Sequence, residues 1–482
     1  MTEAQTAQRR TKIVATLGPA TDDPGVLADM VRAGLDVARV NFSHGEKDEQ
    51  RRRILAIRAA AKSVGRSVAI LADLSGPKIR IDSFATGSIL LAEGQPFALD
   101  VALDPGAGNE REVGCAYKEL PRDVKSGDTL LLADGHIVLE VISVQGSRIE
   151  CVTRAGGVLS NRKGLNLKGG GLSAPALTDK DLDHIRLAAE MGVDYVAVSF
   201  ARDAADIRRA QAELRKWRGT AHVVAKIERH EAIDNLGEIL TAADAVMVAR
   251  GDLGVEMGYA ALTGLQKTII QQALAANRVV ITATQMMESM ITSPVPTRAE
   301  VSDVANAVLD GTDAVMLSAE TAAGKYPVKA VQAMADVIEG AEKYELGQPV
   351  AVRSQGEFSN TEEAIAKAVM YTANRMRVRA IVALTESGLT ALWMSRMRAD
   401  MPIYAFTRQE ITRNRVMLYR GVYPVLFDVT HTTPGQLSQA IFDELLQRGL
   451  VDVGDPIILT KGDLSGVQGG TNSLQILRVL KA

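Results

Sequence analysis

Two carboxylates and two cations stand out because each closes a short apolar run. Lys226 and Glu228 end the run VVAKIE. Asp252 follows AVMVA in the turn Arg250-Gly251-Asp252, and Arg39 sits in VARVN. Acid oxygens from two neighbouring runs, completed by water and substrate oxygens, are a common way to hold a hard divalent cation such as Mg²⁺ or Mn²⁺. Arg39 and Lys226 suit a phosphate or another compact anion. Lys226 and Glu228 are two apart, so on a strand they share a face and can simply pair with each other. Both then point into a strand mouth, where buried charge is costly without a ligand. Residues 249–255 read as a turn entering a helix, and the free N–H groups of such a turn can receive a carboxylate or a phosphate.

Other polar residues end similar runs: Asn41, Ser43 and His44, then Asp73, Ser199, Thr284 with Gln285, and Ser318 with Glu320. They converge only if the runs are parallel strands whose C-terminal ends share one rim. The pattern supports this. Strands are expected at residues 12–16, 37–41 and 67–73, then at 195–199, 223–227, 245–249, 279–283 and 314–317, with amphipathic helical stretches between them. Asp23 and Thr178 are placed to cap helices. Three strands before an interruption and five after it make eight, which predicts a closed parallel (β/α)₈ TIM barrel, with an open doubly wound sheet as the alternative.

The interruption is rich in glycine, aspartate and short strand-like pieces, so it reads as an inserted all-β domain. Beyond a polar stretch at 348–360, strands at 380–385, 403–407, 423–427 and 456–460 alternate with helices, as in a separate α/β domain. The expected organisation is barrel at 1–77 and 176–346, an inserted β-barrel lid at 78–175, and a C-terminal α/β regulatory domain at 347–482. Gly169-Gly170-Gly171 reads as a hinge of the lid.

The formal net charge of −3 leaves no broad basic face, so neither nucleic acid nor an anionic membrane is expected as a partner. Cys115 and Cys151 form no CxxC, which points away from a disulfide framework or a zinc site. The first twelve residues lack the apolar core of a signal peptide, and no run approaches the ~18 apolar residues of a membrane span. A cytoplasmic protein is expected. Neither the P-loop pattern nor the dinucleotide glycine pattern occurs between a strand and a helix.

Seven long motifs occur in one order: TKIVATLGP (11–19), ARVNFSHG (38–45), VAKIE (224–228), MVARGDLGVE (247–256), TATQMMESM (282–290), PTRAEVSDVA (296–305) and VMLSAET (315–321). They resemble the pyruvate kinase family, in its bacterial form, and the resemblance covers essentially the whole chain. It implies transfer of a phosphoryl group from phosphoenolpyruvate to ADP, giving pyruvate and ATP through an enolate that is then protonated. Lys226 would neutralise the moving phosphoryl group, Arg39 would hold it, and Glu228 and Asp252 would ligate Mg²⁺ or Mn²⁺. The N–H groups of Gly251 and Asp252, with Thr284, would hold the substrate carboxylate, and Thr284 would stand near the carbon that is protonated. Ser318 would also face the substrate. Asn41, His44, Arg80 and Lys163 would line the nucleotide side. A homotetramer is implied as well.

One departure from the family pattern concerns K⁺. Many members read DTKGPEIR at the end of the third strand, where this chain reads DLSGPKIR (73–80). Leu74 lacks the hydroxyl that helps ligate K⁺. Lys78 puts an ammonium where those members carry a carboxylate, and it is expected to stand near the position Leu74 vacates, so that K⁺ is not required. The segment LTESGLT (384–390) resembles the family's effector loop. Thr385, Ser387, Gly388 and Thr390 would there form a nest for a phosphorylated metabolite. Two readings of other classes compete: a barrel aldolase with Lys226 as its Schiff-base amine, and a non-catalytic metabolite sensor. The sensor is disfavoured because Arg39, Lys226, Glu228 and Asp252 are all present.

Overall fold

The structure, a computed structural model, describes residues 9–346, 358, 360–397, 399–428, 435–462 and 470–481. The expected polar linker lies outside the described residues apart from Phe358 and Asn360, as do the first eight residues of the N-terminal stretch.

Eight strands close into a parallel barrel: β1 (Lys12–Leu17), β2 (Val37–Asn41), β3 (Ala69–Asp73), β4 (Tyr195–Val198), β5 (His222–Ile227), β6 (Ala245–Ala249), β7 (Val279–Ala283) and β8 (Ala314–Leu317). β1 pairs with both β2 and β8, so no edge is left and the open-sheet alternative is excluded. These strands are almost entirely buried on both faces, as a parallel sheet covered by helices requires. Thr178 caps its helix through a reciprocal box with Asp181, and Asp23 accepts from the N–H groups of Gly25 and Val26.

The insertion between β3 and β4 is a six-stranded sheet plus a two-stranded one, formed by Ser88–Leu91 and Gly157–Ser160. It is not wholly β, because Leu120–Asp123 makes one helical turn. It has a core of its own, built from residues such as Phe97, Leu130, Leu139 and Ile149. Its return to the barrel passes through Gly169, Gly170 and Gly171, all with positive φ, which suits the hinge reading. Gly76 on the outgoing segment also has φ +64, and a Cβ there would lie 2.7 Å from the Cβ of Ser199. Only glycine lets that segment cross the end of β4.

The C-terminal domain carries four parallel strands, Val422–Leu426, Ile403–Thr407, Ala380–Leu384 and Pro456–Gly462. A fifth, Thr471–Arg478, runs antiparallel at the edge and was not anticipated from the sequence. Its residues are mostly only partly buried, and it offers no continuous apolar run to mark it. This domain packs under the N-terminal ends of the barrel strands. Lys12 of β1 is fully buried, donates to the Val422 carbonyl at 2.7 Å and lies 4.4 Å from the Tyr423 ring centre. Burial pushes its ammonium down to about 8, although the neighbouring Asp36 pulls the other way. The barrel's inward-facing residues and the domain's apolar face form one continuous core, running from Val14 and Met247 to Ile381 and Leu418.

Arg396 of the C-terminal domain forks onto Asp313, just before β8, with both side chains buried. Asp313 also accepts from the N–H groups of Val280 and Arg420. Removing one member of a buried pair leaves the other uncompensated, at a cost of roughly 3–5 kcal/mol. Arg396→Met should therefore lower the stability of the full chain by about that amount in equilibrium urea unfolding. A loss below about 1 kcal/mol would show that the two N–H groups satisfy Asp313 without the arginine.

Candidate functional site

The C-terminal strand ends gather under the inserted domain. Asp73, the last residue of β3, is 1% exposed. Its Oδ2 accepts from Arg39 Nε at 2.7 Å, and its Oδ1 faces Lys226 Nζ at 3.4 Å. Burial opposes ionisation of Asp73, but Lys226 and Arg39 outweigh it and hold the carboxyl below its usual range. Barrel register places these groups. Thr16 lies opposite Arg39 and Asn41 opposite Asp73, so the Thr16 hydroxyl accepts from Arg39 Nη1 at 2.9 Å.

Lys226, near the end of β5, also reaches Glu228 at 3.0 Å and the Ser199 hydroxyl at 2.8 Å. Burial pulls the ammonium's pKa down, yet Asp73 and Glu228 leave it raised. A Schiff-base lysine needs the neutral amine, so this environment counts against the aldolase reading. Glu228 is buried, accepts the Phe200 N–H at 2.8 Å, and is shifted upward by burial, with Asp252 adding repulsion and Lys226 opposing it. Two carboxylates that repel each other in a buried mouth are a fitting pair for a hard divalent cation. Among the described residues no group of three or more histidine, cysteine or acidic side chains could hold a metal, so further ligands would come from water or substrate.

Lys78 donates to Asp252 at 3.0 Å, with both side chains partly exposed. The ammonium was expected near the position Leu74 vacates, and the contact it makes in the structure is this one with Asp252. Leu74 is buried in the apolar layer between barrel and helices, while Lys78 meets the nearest carboxylate.

β6 runs straight into the helix Arg250–Met257, putting Gly251 and Asp252 in its first turn. The Gly251 N–H is engaged, donating to Thr284 Oγ1 at 2.8 Å, and Thr284 donates to the Ala283 carbonyl at 2.6 Å. Thr284 and Gln285 have φ of 72° and 52°, and Phe200 has 55°. Such backbone costs a non-glycine residue about 1–3 kcal/mol and persists only where neighbours over-determine it. Here the neighbours are Arg250 and Glu320. Arg250 donates to the Thr284 carbonyl at 2.7 Å, and Glu320 accepts from Met287 N and Ser318 N. Burial also raises the Glu320 carboxyl. Sequence reasoning put Arg250 and Glu320 on the rim but missed that both face inward as clips. It missed Thr16 too, which only the register of β1 on β2 places beside Arg39.

Asn41 accepts the Ser43 N–H at 3.0 Å, and His44 beside it is exposed. Arg80 and Lys163 lie on the paired segments entering and leaving the inserted domain, both exposed. Among the described residues, none of the four shares a side-chain hydrogen bond or ion pair with the Lys226 cluster, although Asn41 lies opposite Asp73 in register. The effector candidates lie in the C-terminal domain, far from the rim in the fold. The Gly388 N–H donates to Thr385 Oγ1 at 2.9 Å, and Leu389 N to Ser387 Oγ at 3.4 Å. Thr390 is buried and shares a hydrogen bond with Thr471. Glu386 is paired with Arg408 at 3.1 Å.

Family models match over most of the chain: "Pyruvate kinase, barrel domain" at residues 8–331 and "Pyruvate kinase, alpha/beta domain" at residues 363–477. Pyruvate kinase II of Salmonella typhimurium is 51% identical over 475 residues, covering 98% of this chain and 99% of that protein. A pyruvate kinase of Haemophilus influenzae is 49% identical, with 95% and 97% covered. One from Geobacillus stearothermophilus is 42% identical, covering 97% of this chain and 80% of its own length.

Where the inserted domain meets the barrel, Glu256 accepts from His230 N at 3.0 Å and from Asn166 at 3.5 Å. Burial pushes its carboxyl up to about 7, with the His230 N–H and Arg229 opposing. An acid raised by folding holds its proton more tightly in the folded state. Stability should therefore fall as pH climbs from the unfolded pKa near ~4.3 to about 7, then level off. Glu256→Gln should remove a pH-dependent loss of roughly 3 kcal/mol between pH 5 and 8, measured as the difference in urea midpoints from the unsubstituted chain. Parallel pH profiles for the two proteins would rule this out.

Proposed function

The chain belongs to the pyruvate kinase family, and from that premise we infer that it transfers the phosphoryl group of phosphoenolpyruvate to ADP and releases pyruvate and ATP. The observation that best supports this reading is the Lys226 ammonium, held at 3.4 Å from Asp73 and 3.0 Å from Glu228 with Arg39 on the far side of Asp73. Phosphoryl transfer asks for positioning and cations more than for covalent help, and that is what this mouth offers.

A divalent ion, Mg²⁺ or Mn²⁺, held by Glu228 and Asp252 would supply positive charge to phosphoryl and enolate oxygens. The Lys226 ammonium, kept charged by its acidic neighbours, meets the moving phosphoryl group, and Arg39 orients it. The first helical turn at Gly251 and Asp252, with Thr284 and Ser318, binds the substrate carboxylate end. Thr284 stands on the side where the enolate carbon takes a proton, directly or through water. Asn41, His44, Arg80 and Lys163 line the nucleotide side. The inserted domain, swinging on its glycine hinge, excludes water and so protects the donor from hydrolysis.

The same reading makes K⁺ dispensable. Leu74 presents hydrocarbon where a hydroxyl would be needed, and Lys78 supplies a covalently attached positive charge at the rim. A phosphorylated metabolite is proposed to act at 385–390, displacing the loop's own hydroxyl-to-amide bonds. A cytoplasmic homotetramer completes the proposal.

Lys226→Met should lower turnover by ~10²-fold or more in a lactate-dehydrogenase-coupled assay while leaving the fold intact. Near-normal turnover would refute the role of Lys226. Glu228→Gln and Asp252→Asn should each weaken Mn²⁺ binding in paramagnetic titration, and unchanged affinity in both would dismiss the metal site. Activity in Na⁺ or tetramethylammonium buffer should equal that in K⁺, and an enzyme silent until K⁺ is added would reject the Lys78 proposal.

A further inference from the structure

Arg250 is almost entirely engaged by the turn after β7. Its Nε donates to the Ala283 and Thr284 carbonyls at 3.3 and 3.2 Å. Its Nη2 donates to the Thr284 carbonyl at 2.7 Å, to the Gln285 carbonyl at 3.4 Å and toward the Met286 sulfur at 2.8 Å. The remaining arm, Nη1, reaches Asp303 at 2.7 Å and Gln266 at 3.4 Å. The guanidinium is a rigid planar fork, so fixing one arm fixes the direction of the others. Asp303 lies on the helix Arg298–Asp310 and Gln266 on the helix Tyr259–Ala275. One side chain thus links two outer helices to the turn that carries Thr284.

The Thr284 hydroxyl depends on that turn from both sides. It accepts from Gly251, the residue after Arg250, and donates to the Ala283 carbonyl, which Arg250 also holds. The backbone at Thr284 and Gln285 lies in the left-handed region, which a β-branched residue avoids unless held there. Loosening Arg250 therefore frees both the backbone and the hydroxyl it carries.

We propose that Arg250, oriented by Asp303, is a positioning residue that sets where the Thr284 hydroxyl stands, so that a change on the helix Arg298–Asp310 reaches the proton-transfer side of the site. The proposal rests on the reading of the reaction given above. Arg250→Lys keeps the charge and loses the fork. Asp303→Asn removes only the half-exposed carboxylate that steers it, and so remains informative if the buried lysine impairs folding. The full chain with Mg²⁺ is assayed for kcat and for the KM of each substrate. Exchange of pyruvate methyl hydrogens with deuterium oxide, Mn²⁺ affinity and thermal unfolding are measured alongside. Arg250→Lys should lose ~10²-fold in kcat and Asp303→Asn ~10-fold. Methyl exchange should fall at least as far, while the KM for ADP and the Mn²⁺ affinity stay within about twofold. A purely structural role would instead lower kcat, Mn²⁺ affinity and Tm together, and that outcome overturns the proposal. So do two variants that turn over like an active unsubstituted chain. If the unsubstituted chain makes no ATP from phosphoenolpyruvate, the reading of the reaction falls and takes this proposal with it.

Discussion

A buried negative charge at the end of β3 organises the rim. Asp73 has almost no access to water, so it must be neutralised by neighbours that are themselves fixed. Arg39 and Lys226 do this from two other strands, β2 and β5, and each is anchored further out, Arg39 by Thr16 and Lys226 by Ser199 and Glu228. Five barrel strands are tied together through one carboxylate. The cations are thus fixed in place by the chain's own contacts.

Around that centre the groups sort by solvent access. Lys226, Glu228 and Arg39 are largely enclosed, which suits charge stabilisation in a low-dielectric mouth. Asp252 and Lys78 are more open and lie next to the strand that enters the inserted domain. Arg229 and Glu231 hold the returning strand, through the Leu172 carbonyl at 2.6 Å and the Gly171 N–H at 2.7 Å. The inserted domain is thus fastened by residues that immediately follow Glu228, next to the Lys226 cluster.

Much of this was legible in the sequence, for identifiable reasons. The barrel strands are short, largely apolar runs, and seven of the eight are closed or followed by a polar residue whose place on the rim follows from strand direction alone. Lys226, Glu228, Arg39 and Asp73 could be grouped without knowing any distance. Lys78 was harder, because a long side chain on a hinge takes its partner from whatever carboxylate tertiary structure brings near. Leu74 beside it proved to be core. Arg250 and Glu320 looked like ligand-facing residues since nothing local shows which way a strand-end side chain turns. The edge strand Thr471–Arg478 lacked a distinctive pattern because most of its residues are only partly buried.

The continuity between the barrel interior and the C-terminal domain has a consequence for how the molecule comes apart. Val14, Met247, Ile381 and Leu418 belong to one apolar mass, whereas the inserted domain encloses its own. The units that lose structure cooperatively should therefore not follow the order of the chain. Barrel and C-terminal domain form one block, melting and exchanging their deepest amides together, although the polar stretch between them looks like a seam. The inserted domain, carried on two strands, is a second block that can open without the first. A protease that finds this chain partly open should cut at the glycine hinge before it separates the C-terminal domain from the barrel floor.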